Sequence, residues 1–237
     1  MIDPTTDIHP FRRDVMHEQD YALAQTQATQ LEVSKVLRNT YGLLALTLAF
    51  SGLVAYVAMQ MNAVYPNIFV VLIAFYGLFF ATVKLRNSGW GLVTTFALTG
   101  FMGYTLGPIL NHYLGMSNGG EVISSAFAMT ALVFFGLSTY VLTTRKDMSF
   151  LGGFITAGFF VLLGASLASF FFQVSGLQLA ISAGFVLFSS VCILFQTSAI
   201  IHGGERNYIM ATISLYVSIY NLFVSLLQIF GIMGSDD

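Results

Sequence analysis

The sequence predicts an all-α, polytopic membrane protein of seven transmembrane helices, the N-terminus cytoplasmic and the seventh helix central. Three observations predict it. Of 237 residues, 56% are hydrophobic and only 8% are Asp, Glu, Lys or Arg, against about 25% charged in a soluble domain. That leaves too little polar surface to cover a water-soluble core. Apolar runs of about 20 residues, the length that crosses a bilayer core, follow one another from Tyr41 onward. Finally, the nine Lys and Arg residues fall only ahead of the first run and after the second, fourth and sixth. The composition excludes soluble enzymes. A net charge of −2 excludes a nucleic-acid partner, which requires a basic surface.

The elements follow in order. Residues 1–40 form a polar cytoplasmic tail with Arg12, Arg13, Lys35 and Arg38. The first span, Tyr41–Met61, is longer than a signal h-region of about 7–15 residues and lies far from the start, so it is expected to be an uncleaved anchor. The second, Asn67–Val83, is the shortest and ends at Lys84 and Arg86. The third, Trp90–Tyr113, carries Gly100, Gly103 and Gly107 for close helix approach. Pro108 removes a backbone donor near its far end; a kink there either widens an outward cavity or, as is commoner for Pro in a membrane helix, is purely structural. The fourth, Val122–Thr143, runs from Glu121 to Arg145 and Lys146. The fifth, Phe150–Phe172, offers Gly153, Ala157, Gly164 and Ala168 as a small-residue packing face. The sixth and seventh, Leu177–Ile201 and Ile209–Ile232, complete a bundle over residues 41–232, leaving a short outer tail at 233–237. The runs are apolar on every face, unlike the alternating strands of a membrane barrel, and a helix satisfies its own backbone in lipid.

Seven spans place every Lys and Arg on one side, which the positive-inside rule makes cytoplasmic. An internal span too many or too few would scatter basic residues over both faces. An odd count puts the C-terminus on the opposite side.

The seventh span bears a polar stripe of Ser214, Ser218, Asn221, Ser225 and Gln228, whose spacing of four, three, four, three holds all five on one helical face. Ser182, Ser189 and Gln196 repeat the device on the sixth at heptad spacing. Lipid offers these groups no hydrogen bonds, so spans six and seven are expected to face each other, with span seven inside the bundle. The stripe serves either as interhelical packing, at about 0.6 kcal/mol per bond, or as a pathway.

No Asp, Glu, Lys or Arg lies within a span, where pumps and proton-coupled transporters place a titratable group. Ser166, in Gly164-Ala165-Ser166-Leu167, lacks the trailing Gly of a nucleophile turn, and His112 and His202 sit at span ends. Two glycines separate His202 from Glu205 and no third ligand accompanies them, so an inner-loop hydrogen-bond network is expected there rather than a metal. The single Cys192 reads as core packing. No catalytic residue, cofactor or metal site is predicted.

Several blocks then carry a family resemblance: Phe195-Gln196-Thr197, His202-Gly203-Gly204-Glu205 with Tyr208, Leu215-Tyr216-Val217-Ser218-Ile219-Tyr220-Asn221, Gly107-Pro108-Ile109-Leu110-Asn111 and Leu142 to Phe150. Together they resemble the Bax inhibitor (transmembrane Bax inhibitor motif) family in its bacterial branch, over about Leu31 to Gly231. The resemblance implies six helices around a seventh and a multi-pass protein of the bacterial inner membrane with a periplasmic C-terminus. It also implies a regulatory protein that binds an FtsH-type membrane protease and modulates it. Many members are implied to be pH-sensitive calcium leaks that use a carboxylate pair on helices six and seven.

Here Gln196 and Ser218 occupy the matching positions. Two close carboxylates share a proton and titrate jointly and bind hard cations. Gln196 and Ser218 do neither, but are expected to hydrogen-bond to each other and lock that contact closed. Protease modulation is therefore the first reading, with the N-terminal tail as the segment a processive protease seizes. The alternative is a calcium or cation leak along Ser214, Ser218, Asn221 and Ser225, with His202 or Glu205 at its inner mouth; calcium is a partner only under that reading.

Overall fold

The computed structural model describes residues 10–172 and 176–234, with side chains for residues 30–169, 171–172 and 176–234. Most of the expected outer tail lies outside the described residues, as do residues 1–9. Among the described residues the regular structure is entirely helical: α1 Pro10–Gln60, α2 Ile68–Leu85, α3 Trp90–Leu114, α4 Gly119–Thr144, α5 Leu151–Phe171, α6 Leu177–Ile201 and α7 Tyr208–Met233. All seven are long and apolar enough to cross a membrane, and six begin and end within a few residues of the expected spans. The exception is α1, whose 51 residues extend about 76 Å at 1.5 Å per residue, over twice a bilayer core of about 30 Å. The polar segment before Tyr41 continues the helix because it holds no Gly or Pro between Pro10 and Gly42, and its Gln, Glu, Ala and Leu are good helix formers.

Parallel helices α1 and α3 meet along a glycine seam. A methyl group at Gly100 would stand 2.8 Å from the Phe50 ring, one at Gly107 2.6 Å from Ala58 Cβ, and one at Gly103 would strike the Ser51 backbone. The close approach expected of these glycines is realised here. Asn111 closes the far end of the seam, its Nδ2 donating to the Met59 carbonyl at 3.0 Å.

The fifth helix departs from expectation. Gly152 and Gly158 receive the α6 rings of Phe195 and Phe188, while nothing stands within 4 Å of a methyl placed on Gly153 or Gly164. Small residues occur on several sides of α5, and the phenylalanines of α6 select the contacting side.

The most buried helix is α7. Half of its most apolar window is inside the bundle, against 6% for α2 and α5. It packs against α1, α3, α4 and α6, with Leu215, Tyr216, Leu222 and Leu227 almost fully enclosed. These four helices are its main partners; α2 and α5 pack chiefly on α3 and α6, and α2 adds Phe75, Leu78 and Phe79 to the cluster that holds Ile209 and Ile213 of α7. These two outer helices are apolar around their circumference and lose nothing by facing lipid.

Candidate functional site

The facing of α6 and α7 is realised in one bond: Ser182 Oγ donates to Gln228 Oε1 at 2.6 Å. Elsewhere the stripe turns inward on itself. Ser218 Oγ donates to the Ser214 carbonyl one turn earlier at 2.8 Å, a local bond that competes with partners on other helices. Ser225 is buried and Asn221 half-buried on the same face.

The expected bond between Gln196 and Ser218 does not form. Gln196 Nε2 is buried without a partner, and the Ser218 hydroxyl proton goes to the Ser214 carbonyl of its own helix. Ser189 Oγ, on the same face of α6, and Ser138 Oγ of α4 are likewise buried and unpaired. Gln196 and Ser218 are therefore uncharged and not hydrogen-bonded to each other.

The strongest cross-links come from side chains that spacing arguments overlooked. Tyr216 Oη meets Ser51 Oγ of α1 at 2.5 Å and donates to the Thr99 carbonyl of α3 at 3.2 Å. One turn on, Tyr220 Oη lies 3.1 Å from Thr105 Oγ1, which itself donates to the Met102 carbonyl at 2.8 Å. The two rings stack at 6.5 Å. A deep tyrosine in lipid must find a partner for its hydroxyl, and that requirement was the available signal. Beside this network, Tyr65, Pro108, His112, Tyr113 and Gln228 line a cavity of about 380 Å³, and α3 continues unbroken past Pro108.

At the basic end three loops are sewn together. Gly203, at φ +72°, takes the left-handed conformation that ends α6, and the amides of Gly204 and Glu205 then reach the Ala199 carbonyl at 2.8 and 3.0 Å. His202 sets Nδ1 2.9 Å from the Ser198 carbonyl and Nε2 3.1 Å from the Arg145 carbonyl. Ser198 Oγ accepts from the Met148 amide at 2.9 Å. These bonds tie the end of α6 to the loop after α4.

Asn207 caps α7 by accepting from the Ile209 and Met210 amides, both at 3.1 Å, and donates to Asn87 Oδ1 at 2.9 Å in the α2–α3 loop. Glu205 Oε1 accepts from the Asn207 amide at 2.8 Å. Tyr208 packs half-buried near Leu43, Leu98 and Ile209. The hydrogen-bond role expected of His202 to Glu205 is what they perform. Asp147, in the same loop system, is held below the usual carboxylate range because the Ser149 amide donates to it, with His202 adding a smaller electrostatic effect. No group of three or more His, Cys, Asp or Glu able to hold a metal occurs among the described residues.

Comparison with known proteins places these features in a lineage. The family model described as inhibitor of apoptosis-promoting Bax1 matches residues 33–235. An uncharacterized protein of Pseudomonas aeruginosa is 83% identical over 94% of this chain and 100% of its own length. The modulator of FtsH protease YccA of Escherichia coli K12 is 56% identical over 87% of this chain and 94% of its own. A protein of Escherichia coli O6:H1, with the same identity and coverage, is named inner membrane protein YccA. With seven helices long and apolar enough to cross a membrane and nearly the whole bundle matched, this chain belongs to the Bax inhibitor family.

Proposed function

We propose that this inner-membrane protein binds an FtsH-type membrane protease and restrains its action on other membrane substrates. The observation that carries the reading is the use made of the polar groups of α7. Tyr216, Tyr220 and Gln228 are committed to cross-links with α1, α3 and α6, and neither Gln196 nor Ser218 can change charge. Such a bundle is suited to resisting extraction rather than to opening on a proton signal. The name of the Escherichia coli relative, a modulator of FtsH protease, supports the choice of partner.

In this reading the end bearing Arg86, Arg145 and Arg206 faces the cytoplasm, residues 1–40 extend there, and residues 233–237 lie in the periplasm. The polar start of α1 is the segment the protease engages, while the glycine seam with α3 resists the pull. Catalysis has no part in it.

Affinity capture of the full chain from native bacterial membranes tests the partner. Recovery of the FtsH-type protease is expected, and its absence at native expression levels overturns the reading. Deleting residues 1–30 tests the handle: the shortened protein should persist longer in cells that contain the protease, and an unchanged half-life counts against it. Calcium flux in liposomes that is abolished by Asn221→Ala with the fold intact would put a cation leak in place of protease binding.

A further inference from the structure

We propose that a groove between α4 and α7 binds a phospholipid with an amine headgroup, drawn from the leaflet opposite the basic loops. The groove encloses about 520 Å³ and is graded along its length. Asn118, Glu121 and Ser125 line it at the end of the bundle far from the basic residues, while Ala128, Met129 and Leu132 continue it toward the middle, with Phe230 of α7 as the facing wall. From Glu121 to Leu132 the helix rises about 16 Å, roughly half of a bilayer core. The grading therefore spans one leaflet, with a polar head and an apolar floor.

Charge chooses the headgroup. Glu121 is the only charged side chain among the described residues at that end of the bundle, so no Lys or Arg neutralises it from within the protein. Its carboxylate accepts no hydrogen bond among the described residues. Nearby Asn118 spends Nδ2 on the Gly234 carbonyl at 3.0 Å and keeps a buried Oδ1 without a donor. An exposed carboxylate with no cation beside it at headgroup depth suits an ammonium and opposes a headgroup whose only charge is the phosphate. The inference concerns lipid alone and stands apart from the protease reading.

The test uses the full chain in nanodiscs containing equal amounts of phosphatidylethanolamine and phosphatidylglycerol, with retained lipid counted by native mass spectrometry after gentle release. The wild type should retain phosphatidylethanolamine by about threefold, the scale of an exposed ion pair. Glu121→Gln should erase the preference while leaving total retained lipid unchanged, and Glu121→Lys should reverse it. Met129→Trp, which fills the floor, should lower retention of both lipids. Equal retention of the two lipids by the wild type overturns the proposal, as does a preference that survives Glu121→Gln or retention untouched by Met129→Trp.

Discussion

Tyr216 Oη of α7 and Ser51 Oγ of α1 stand 2.5 Å apart, 165 residues distant in sequence and both buried. Removing the phenol oxygen with Tyr216→Phe leaves the Ser51 hydroxyl and the Thr99 carbonyl without this partner. Interhelical bonds in membranes average about 0.6 kcal/mol and reach about 1.7, and this double contact belongs toward the upper figure. Tyr220→Phe should cost less, because Thr105 retains the Met102 carbonyl. Reversible unfolding in mixed micelles ranks the two; no loss in either variant would show that the tyrosines act through packing alone.

The glycine seam makes a sharper contrast. Gly103→Ala drives a methyl into the Ser51 backbone, whereas Gly164→Ala meets open space. Overpacking costs about 1–3 kcal/mol, while Ala in place of an unconstrained helical Gly gains up to about 1 kcal/mol in a helix interior. The expected result is destabilisation at 103 and a neutral or stabilising effect at 164, read from the same unfolding measurement.

His202→Phe should loosen the loop after α4 without dismantling the bundle. It removes the contact to the Arg145 carbonyl, and Ser198→Ala removes the acceptor for the Met148 amide. Trypsin cleavage after Arg145 or Lys146 in everted membrane vesicles is the measurement. Cleavage should be faster in either variant and fastest in the double one; a wild-type rate in all three would mean that these bonds do not restrain the loop.

Protonation should act on the same loop through Asp147. Its carboxylate accepts from the Ser149 amide and is held below its ordinary range chiefly by that bond. A depressed carboxylate stabilises the folded loop above its unfolded pKa and loses that contribution as pH falls through the lowered folded value. The ordering of the Ser149 amide, followed by its NMR shift, should therefore hold at neutral pH and relax only at acidity below the normal Asp titration, near pH 3.9. In Asp147→Asn that titration should vanish.

Much of the architecture was legible because lipid makes composition speak. Six of the seven helices could be bounded from apolar runs alone, and Ser182 with Gln228 confirms the facing of α6 and α7 that the two polar stripes implied. The start of α1 was hidden because hydropathy reports where a chain crosses lipid and not where a helix begins. On α5, Gly152, Gly153, Ala157, Gly158 and Gly164 lie on several faces, so no spacing rule could name the contacting side before the Phe188 and Phe195 rings of α6 were placed. The Tyr216 network was invisible to periodicity since its partners come from other helices and two of the acceptors involved are backbone carbonyls. Gln196 and Ser218 do not pair: the Ser218 hydroxyl donates to its own preceding turn, as a serine in mid-helix commonly does, and Gln196 Nε2 is left without an acceptor.

The seam between α1 and α3 has a mechanical consequence. Because the two helices run parallel with Gly100, Gly103 and Gly107 seated against Phe50, Ser51 and Ala58, tension applied along α1 loads the whole seam in shear. Each steric tooth must ride over its neighbour at once, instead of parting one after another as in peeling. Resistance to being drawn lengthwise is thus a property of the interlock's direction, and it would be largely lost to a force applied sideways at Gln60.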